Sequence, residues 1–464
     1  MRSYAVLACL AIACAAPTSV AQQLAAPPPR SIPPREYLQL FDINTAWLDK
    51  FRDGQPLDDT EHQQLLTLLY RLQQYPLAGV DQFSQKPGAE AGLCENPQPA
   101  RGELFTLVGR VTRAQRVPLE ASARQRFDFA ATFTCTLVTD AGQTAMVEAL
   151  AVPAAWRLDA PIDERASAQA MFVKCLPVAD DKQAERMLFV TTRVAWYPDN
   201  VLGKLGMDFG LFDDVRDRAG LDERETFYQL LAAVRRAGAG ALEREARAEL
   251  NRQTEQWRRD VENPAADAAA RTAARRGLDR AADYSSDVVP LFNDPAAMRG
   301  QLVTLRGEAL RAIEVRVDDP DIVSRFDIRR YYEVEILTED SQNNPLVCVV
   351  AHLPPGMPLG NNINVAVRVT GFFLKSWGFR PGMSDAAASA AGRRQLAPLL
   401  VADTVKVLSE PAAPGASSTM VAVLAAALAV AALILWWIWR GDRRALAVAQ
   451  QARLELPERI DDRL

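Results

Sequence analysis

RGELFTLVGRVTRAQRV (101–117) and RGQLVTLRGEALRAIEV (299–315) are one stretch written twice, with nine of seventeen positions identical at a fixed offset. Each copy alternates like a strand that buries one face: Phe105, Leu107, Gly109 and Val111 in the first, Val303, Leu305, Gly307 and Ala309 in the second. A glycine in mid-strand weakens a flat sheet but permits tight coiling. The stretch therefore predicts the opening strand of a small β-barrel, present in two copies.

The repetition extends in both directions. Upstream, WLDKFRDGQPLDDTE (47–61) aligns without gaps onto LFDDVRDRAGLDERE (211–225), pairing Asp49/Asp213, Arg52/Arg216, Asp53/Asp217, Leu57/Leu221, Asp58/Asp222 and Glu61/Glu225. Helices are expected over Trp47–Asp53 and Leu57–Leu72, the second opened by a capping box from Asp58 and Glu61. In the second copy the helical face carries Phe227, Leu230, Leu231 and Val234. Downstream, further strands are expected near 129–139, 145–152, 166–174 and 188–196, and again near 331–337, 346–353, 363–374 and 399–407. Matched landmarks hold the register: Arg126-Phe127-Asp128 with Arg325-Phe326-Asp327, and Phe172-Val173-Lys174 with Phe373-Leu374-Lys375. The predicted fold class is α+β: two repeated modules, each a short helical lead-in plus a five-stranded antiparallel barrel closed as a meander.

Such a barrel resembles an OB-fold, which protects its sheet edges by closing on itself. The resemblance covers about 101–197 and 299–408 and rests on strand count and pattern. OB-folds usually place a helix between the third and fourth strands. Here only short loops fit (154–165 and 355–362), so another small antiparallel barrel stays open. The layout is also similar to that of an uncharacterised family of membrane-anchored bacterial envelope proteins, a resemblance that implies no activity.

The ends predict an address. Residues 1–21 read as a signal peptide, with Arg2, an apolar run and a small-residue cleavage site at Ser19-Val20-Ala21. A proline-rich spacer follows (22–35), then lead-in one with its loop (36–100), barrel one (101–200), lead-in two with a charged helical insertion (201–298) and barrel two (299–408). A linker (409–418) leads to Thr419–Trp439, an uncharged run expected to be a single transmembrane helix. Arg440, Arg443 and Arg444 open a cytoplasmic tail (440–464), so the expected location is the inner membrane with the bulk of the chain periplasmic.

The 464 residues carry a net charge of −5, which becomes −6 without Arg2 and argues against nucleic acid as a partner. Cys94, Cys135, Cys175 and Cys348 lie beyond the leader. Two readings stand: buried thiols in strands, or one bridge, for which Cys135–Cys175 is the choice. Of the two histidines, His62 is expected to be a solvated helix residue and His352 a structural or surface imidazole, since the other repeat has Thr226 and Ala151 in their places. No spacing matches a metal site, nucleophile elbow or phosphate loop, so neither catalysis nor a cofactor is expected. The acidic pairs Asp58-Asp59, Asp213-Asp214 and Asp318-Asp319 sit at predicted helix starts and turns.

Binding is the function left. Lys375, Trp377, Phe379 and Arg380 at a strand end of barrel two could form an exposed platform for a peptide, glycan or lipid headgroup, or plug the barrel mouth. Trp196 and Tyr197 at the end of barrel one carry the same two readings. The expected function is a non-enzymatic, membrane-anchored module that holds a protein partner or an envelope polymer. A transmembrane sensor acting through the tail is the alternative, and a hydrolase with an unfamiliar site the third.

Overall fold

Gly109 and Gly307 stand where the first strand of each copy must bend most. A Cβ at Gly109 would lie 2.0 Å from the Val138 carbonyl oxygen, and at Gly307 2.1 Å from that of Leu337. Each is followed by a register shift, Val111/Arg113 in one copy and Ala309/Arg311 in the other. The bulge lets one strand pair with two neighbours around a tight curve. In the computed structural model, which describes residues 31–178, 181–263, 265, 267–379, 395–408 and 428–436, both predicted opening strands are present.

Module one begins with α1 (Pro34–Gln39), α2 (Thr45–Leu48), α3 (Asp59–Leu72) and α4 (Leu77–Phe83). The Asp58–Glu61 capping box opens α3 as predicted. Helix α2 is shorter than the expected Trp47–Asp53, and α4 occupies part of a stretch expected to be loop. The strands are β1 (Leu104–Pro118), β2 (Ala131–Thr139), β3 (Thr144–Ala151), β4 (Pro161–Val178), β5 (Asp181–Arg193) and β6 (Ala195–Trp196), with α5 (Ala121–Phe127) between the first two.

Module two carries α6 (Val201–Lys204), a 3-10 turn at Phe209–Asp214, and then α7 (Arg224–Ala237). The long pair α8 (Ala239–Glu262) and α9 (Ala268–Ala282) follows, then short α10 (Val289–Asn293) and α11 (Pro295–Met298). Its strands are β7 (Leu302–Arg316), β8 (Arg330–Leu337), β9 (Leu346–His352), β10 (Val365–Phe379) and β11 (Gln395–Val407), with α12 (Pro320–Phe326) after β7.

The expected antiparallel meander is corrected. Strands β7, β8, β9, β11 and β10 form a closed barrel in that order. In module one β1 pairs with both β2 and β4, β4 with β5, β5 with β3, and β3 with β2. The fourth strand crosses back to the first, so the fifth must enter between the fourth and the third. It therefore runs parallel to the third, Ala145 opposite Met187 and Val347 opposite Leu399. A sixth strand, β6, continues along β4 in module one.

The predicted transmembrane helix at Thr419–Trp439 is also corrected. No helix among the described residues is long and apolar enough to cross a membrane, and the described part of that run is the helical stretch 428–436. The predicted leader, linker and tail lie outside the described residues.

Each module has two cores because its strands bury both faces. Inside barrel one lie Phe105, Leu107, Cys135, Val147, Phe172 and Phe189; inside barrel two lie Leu305, Val334, Cys348, Val369, Phe373 and Leu400. On the outer face, Leu65, Leu66 and Leu69 of α3 pack on Val173, Leu188 and Val190. Phe227, Leu230, Leu231 and Val234 of α7 pack on Val349, Phe372, Leu374 and Val401. The repeated Arg-Phe-Asp landmark is a helix stop: Asp128 and Asp327 take left-handed φ of 59° and 51°, ending α5 and α12. The charged insertion is a helical hairpin as expected, with Leu242, Ala246 and Leu250 of α8 buried.

Candidate functional site

One buried ion pair, repeated in each module, welds helix to barrel. Lys174 Nζ donates to Glu61 Oε1 and Oε2 at 2.9 and 2.8 Å, and Lys375 Nζ to both oxygens of Glu223 at 2.9 Å. Both lysine side chains are fully buried. The same glutamates accept the backbone N–H of Arg52 and of Arg216, each at 2.7 Å. Burial alone would raise the Glu223 pKa, but the Arg216 N–H and Lys375 outweigh it and hold the carboxyl below its ordinary range.

Alongside, Arg101 binds Asp53 while Asp53 accepts the Cys175 N–H; Arg299 binds Asp217 while Asp217 accepts the Ser376 N–H. Gly102 and Gly300, at φ +86° and +75°, turn the chain so that their N–H groups donate to Phe172 and Phe373 carbonyls. The shared Arg-Gly is thus a joint of the fold.

This network settles where Lys375 belongs. It is a buried partner of Glu223 and the Gly220 carbonyl, not part of a surface. Trp377 is half-buried and packs against the core beneath α7. The backbone of Phe379 ends β10, and Arg380 lies outside the described residues. Of the expected group, Lys375 is placed inside the fold and Trp377 against the core, while the Phe379 side chain and Arg380 lie outside the described residues.

Trp196 and Tyr197 do line something. The Trp196 indole N–H donates to Glu164 at 2.8 Å and its ring stands edge-on to Phe209. The Tyr197 hydroxyl lies 3.0 Å from Ser167 Oγ, and burial raises its pKa. Tyr197 borders two cavities of about 720 and 760 Å3 that share Thr106, Ser167 and Gly206. The first runs over the outer face of β1 and β4, where Arg110 is paired with Asp163 and Lys204 with Asp199. The second is the cleft between the modules. Its floor is Thr106, Ser167, Gln169 and Thr191, one wall is Leu72, Leu77 and Val80, and the opposite wall is the start of α7 with Arg325 and Phe326.

Arg325 spans that cleft. It reaches Asp81 of module one at 2.6 Å and both oxygens of Glu225, at 2.8 and 2.6 Å. Burial works against its charge, yet Glu225 and Asp81 outweigh the burial and raise its pKa. A second cross-module bond runs from the Ala154 N–H to Asp213 Oδ2 at 2.8 Å. Deeper in the cleft Asp208 accepts the N–H groups of Trp196 and Gly210, with Arg193 at 3.3 Å; burial still raises its pKa.

The chemistry of the remaining candidates is quiet. Cys94 and Cys175 form a disulfide, correcting the expected Cys135–Cys175 bridge. The reason is topological: β1 separates β2 from β4 on one side and β3 with β5 on the other, while the loop bearing Cys94 caps the barrel beside β4. Cys135 is a buried free thiol whose pKa burial pushes up to about 12. His352 is exposed beside Asp403 at 3.2 Å, and His62 sits on α3. Among the described residues no three His, Cys, Asp or Glu side chains cluster to hold a metal.

Comparison with known proteins returns no matching family model and no matching curated protein. The geometry stands by itself. Sequence reasoning missed the cleft because its walls come from both modules, and no single stretch carries its pattern. The buried lysines did leave a signal: each copy places lysine at the same point of an otherwise apolar strand.

Proposed function

We propose that the chain is a non-enzymatic binding module acting outside the cytoplasm, which holds an extended partner in the cleft between two OB-like modules. The strand order, with the first strand paired to the fourth and the third parallel to the fifth, is that of an OB-type barrel, and it supports that reading of both modules. The observation that carries the function is the continuous groove from β1 and β4 into the inter-module cleft. Its size suits a ligand, and boundaries between domains are common binding places. The Cys94–Cys175 disulfide supports an oxidising compartment.

Site-specific photocrosslinking in cells producing the full chain tests this. A benzoylphenylalanine at Thr106 is expected to give a discrete adduct that Ser167→Trp abolishes, whereas the same group at the exposed Glu262 gives none. Equal labelling from both positions, or an adduct indifferent to Ser167→Trp, overturns the proposal.

A further inference from the structure

The cleft is lined by six carboxylates and four guanidinium groups. Three of those cations face carboxylates, and the fourth is bonded to a neutral carbonyl. Arg193 faces Asp208 and Asp214, Arg224 binds Asp319, Arg236 donates to the Leu205 carbonyl, and Arg325 is held by Asp81 and Glu225. The carboxylates are not all matched. Asp222 is exposed and has no ion-pair partner among the described residues. Asp214 is also exposed, and its closest cation is Arg193 at 3.8 Å. The cleft therefore presents net negative charge beside an apolar wall in which Leu77 is 46% exposed.

The Phe326 face is not on offer. Phe326 stacks with Tyr228 and lies under the Arg325 guanidinium, 4.8 Å from its ring centre, and the Tyr197 hydroxyl is engaged with Ser167. A backbone with alternating side chains would find Thr106 on the floor, an apolar wall, and carboxylates at Asp214 and Asp222 that the cleft's own cations leave under-matched.

Building on the cleft as the binding place, we infer that its occupant is an extended cationic polypeptide segment, with lysine or arginine set against Asp214 and Asp222 and an apolar side chain against Leu77 and Val80. Complementary charge of this kind raises association rates and makes affinity fall with salt.

The test is calorimetric titration of the full chain with an alternating lysine–leucine octapeptide, its lysine-acetylated form and a neutral oligosaccharide. The cationic peptide is expected to bind, and acetylation or the double variant Asp214→Asn/Asp222→Asn to weaken it about tenfold. Glu262→Gln, at the far end of α8, should change nothing. Unchanged circular dichroism and melting of the double variant separate lost binding from lost folding.

If the acetylated peptide or the oligosaccharide binds as well as the cationic peptide, and Ser167→Trp blocks it, the charge inference fails while the cleft survives. If Ser167→Trp blocks nothing that binds, both fail. Absence of binding by the cationic peptide overturns the charge inference outright.

Discussion

In module one the loop that caps the barrel is tied to β4 by Cys94–Cys175, whereas in module two the backbone place of Cys175 is taken by Ser376. There α8 and α9 lie between α7 and the capping segment, and Val288 and Leu291 plug the barrel with packing and hydrogen bonds such as Val288 N–H to Asp340. Position 148 shows the same contrast. Glu148 sits on the outer face of β3, accepting hydrogen bonds from Thr132 and Thr134, while Val349 fills the corresponding place under α7. The welds, Lys–Glu and Arg–Asp, are common to both. Parts that repeat hold helix to barrel; parts that differ decide how each barrel is closed and what its surface offers.

The largest expected effect tests whether the welds are equivalent. Lys174→Ala and Lys375→Ala each strand a buried glutamate, and each should cost about 3–5 kcal/mol in urea denaturation of the full chain. Replacing both partners, Lys174→Met with Glu61→Met, should recover only part of the loss, because the Arg52 N–H and the α3 capping box lose their acceptor. A large cost in one module alone would break the comparison.

Next, Cys94→Ser should destabilise module one by about 2–4 kcal/mol. Hydrogen exchange is expected to rise over 84–100 and stay unchanged over α10 and α11; a matching rise there would mean that the two caps are not independent.

The third prediction separates aligned residues with different jobs. Asp58→Ala removes a helix cap and should cost about 1 kcal/mol. Asp222→Ala, its sequence counterpart, should stay within about 0.5 kcal/mol, since no side-chain cap opens α7.

The smallest effect concerns pH. Burial raises the Glu148 pKa against the pull of Thr132, Thr134 and His62. A carboxyl whose folded value exceeds its unfolded value stabilises the fold below the unfolded value, and that contribution is lost as pH rises through the folded value. Glu148→Gln should therefore melt higher than the parent at neutral pH, with the gap closing as pH falls through the ordinary carboxylate range. Val349→Ala in module two should show no such dependence.

Much of the architecture was legible in particular residues. Gly109 and Gly307 announced the bent first strand, and Asp58 with Glu61 the start of α3. The ungapped pairing of Glu61 with Glu225 misled, because the buried partner of Lys375 is Glu223, two residues earlier. Glu225 was left to bind Arg325, whose further partner Asp81 belongs to module one. Strand direction was illegible for a related reason. Alternation shows which face a residue takes, and it is blind to whether a neighbouring strand runs up or down.

The pairing of each first strand with the fourth bears on how the chain folds. Leu104 meets Met171 and Leu302 meets Phe372, so the first strand leaves the ribosome long before its second neighbour exists. Until then one edge of β1 and of β7 is bare backbone, open to any passing strand. Closure must await the fourth strand and then a parallel fifth, a non-local order that places folding in the slower, millisecond-to-second class. Each barrel is thus most exposed to misassociation while its best-marked strand is already made.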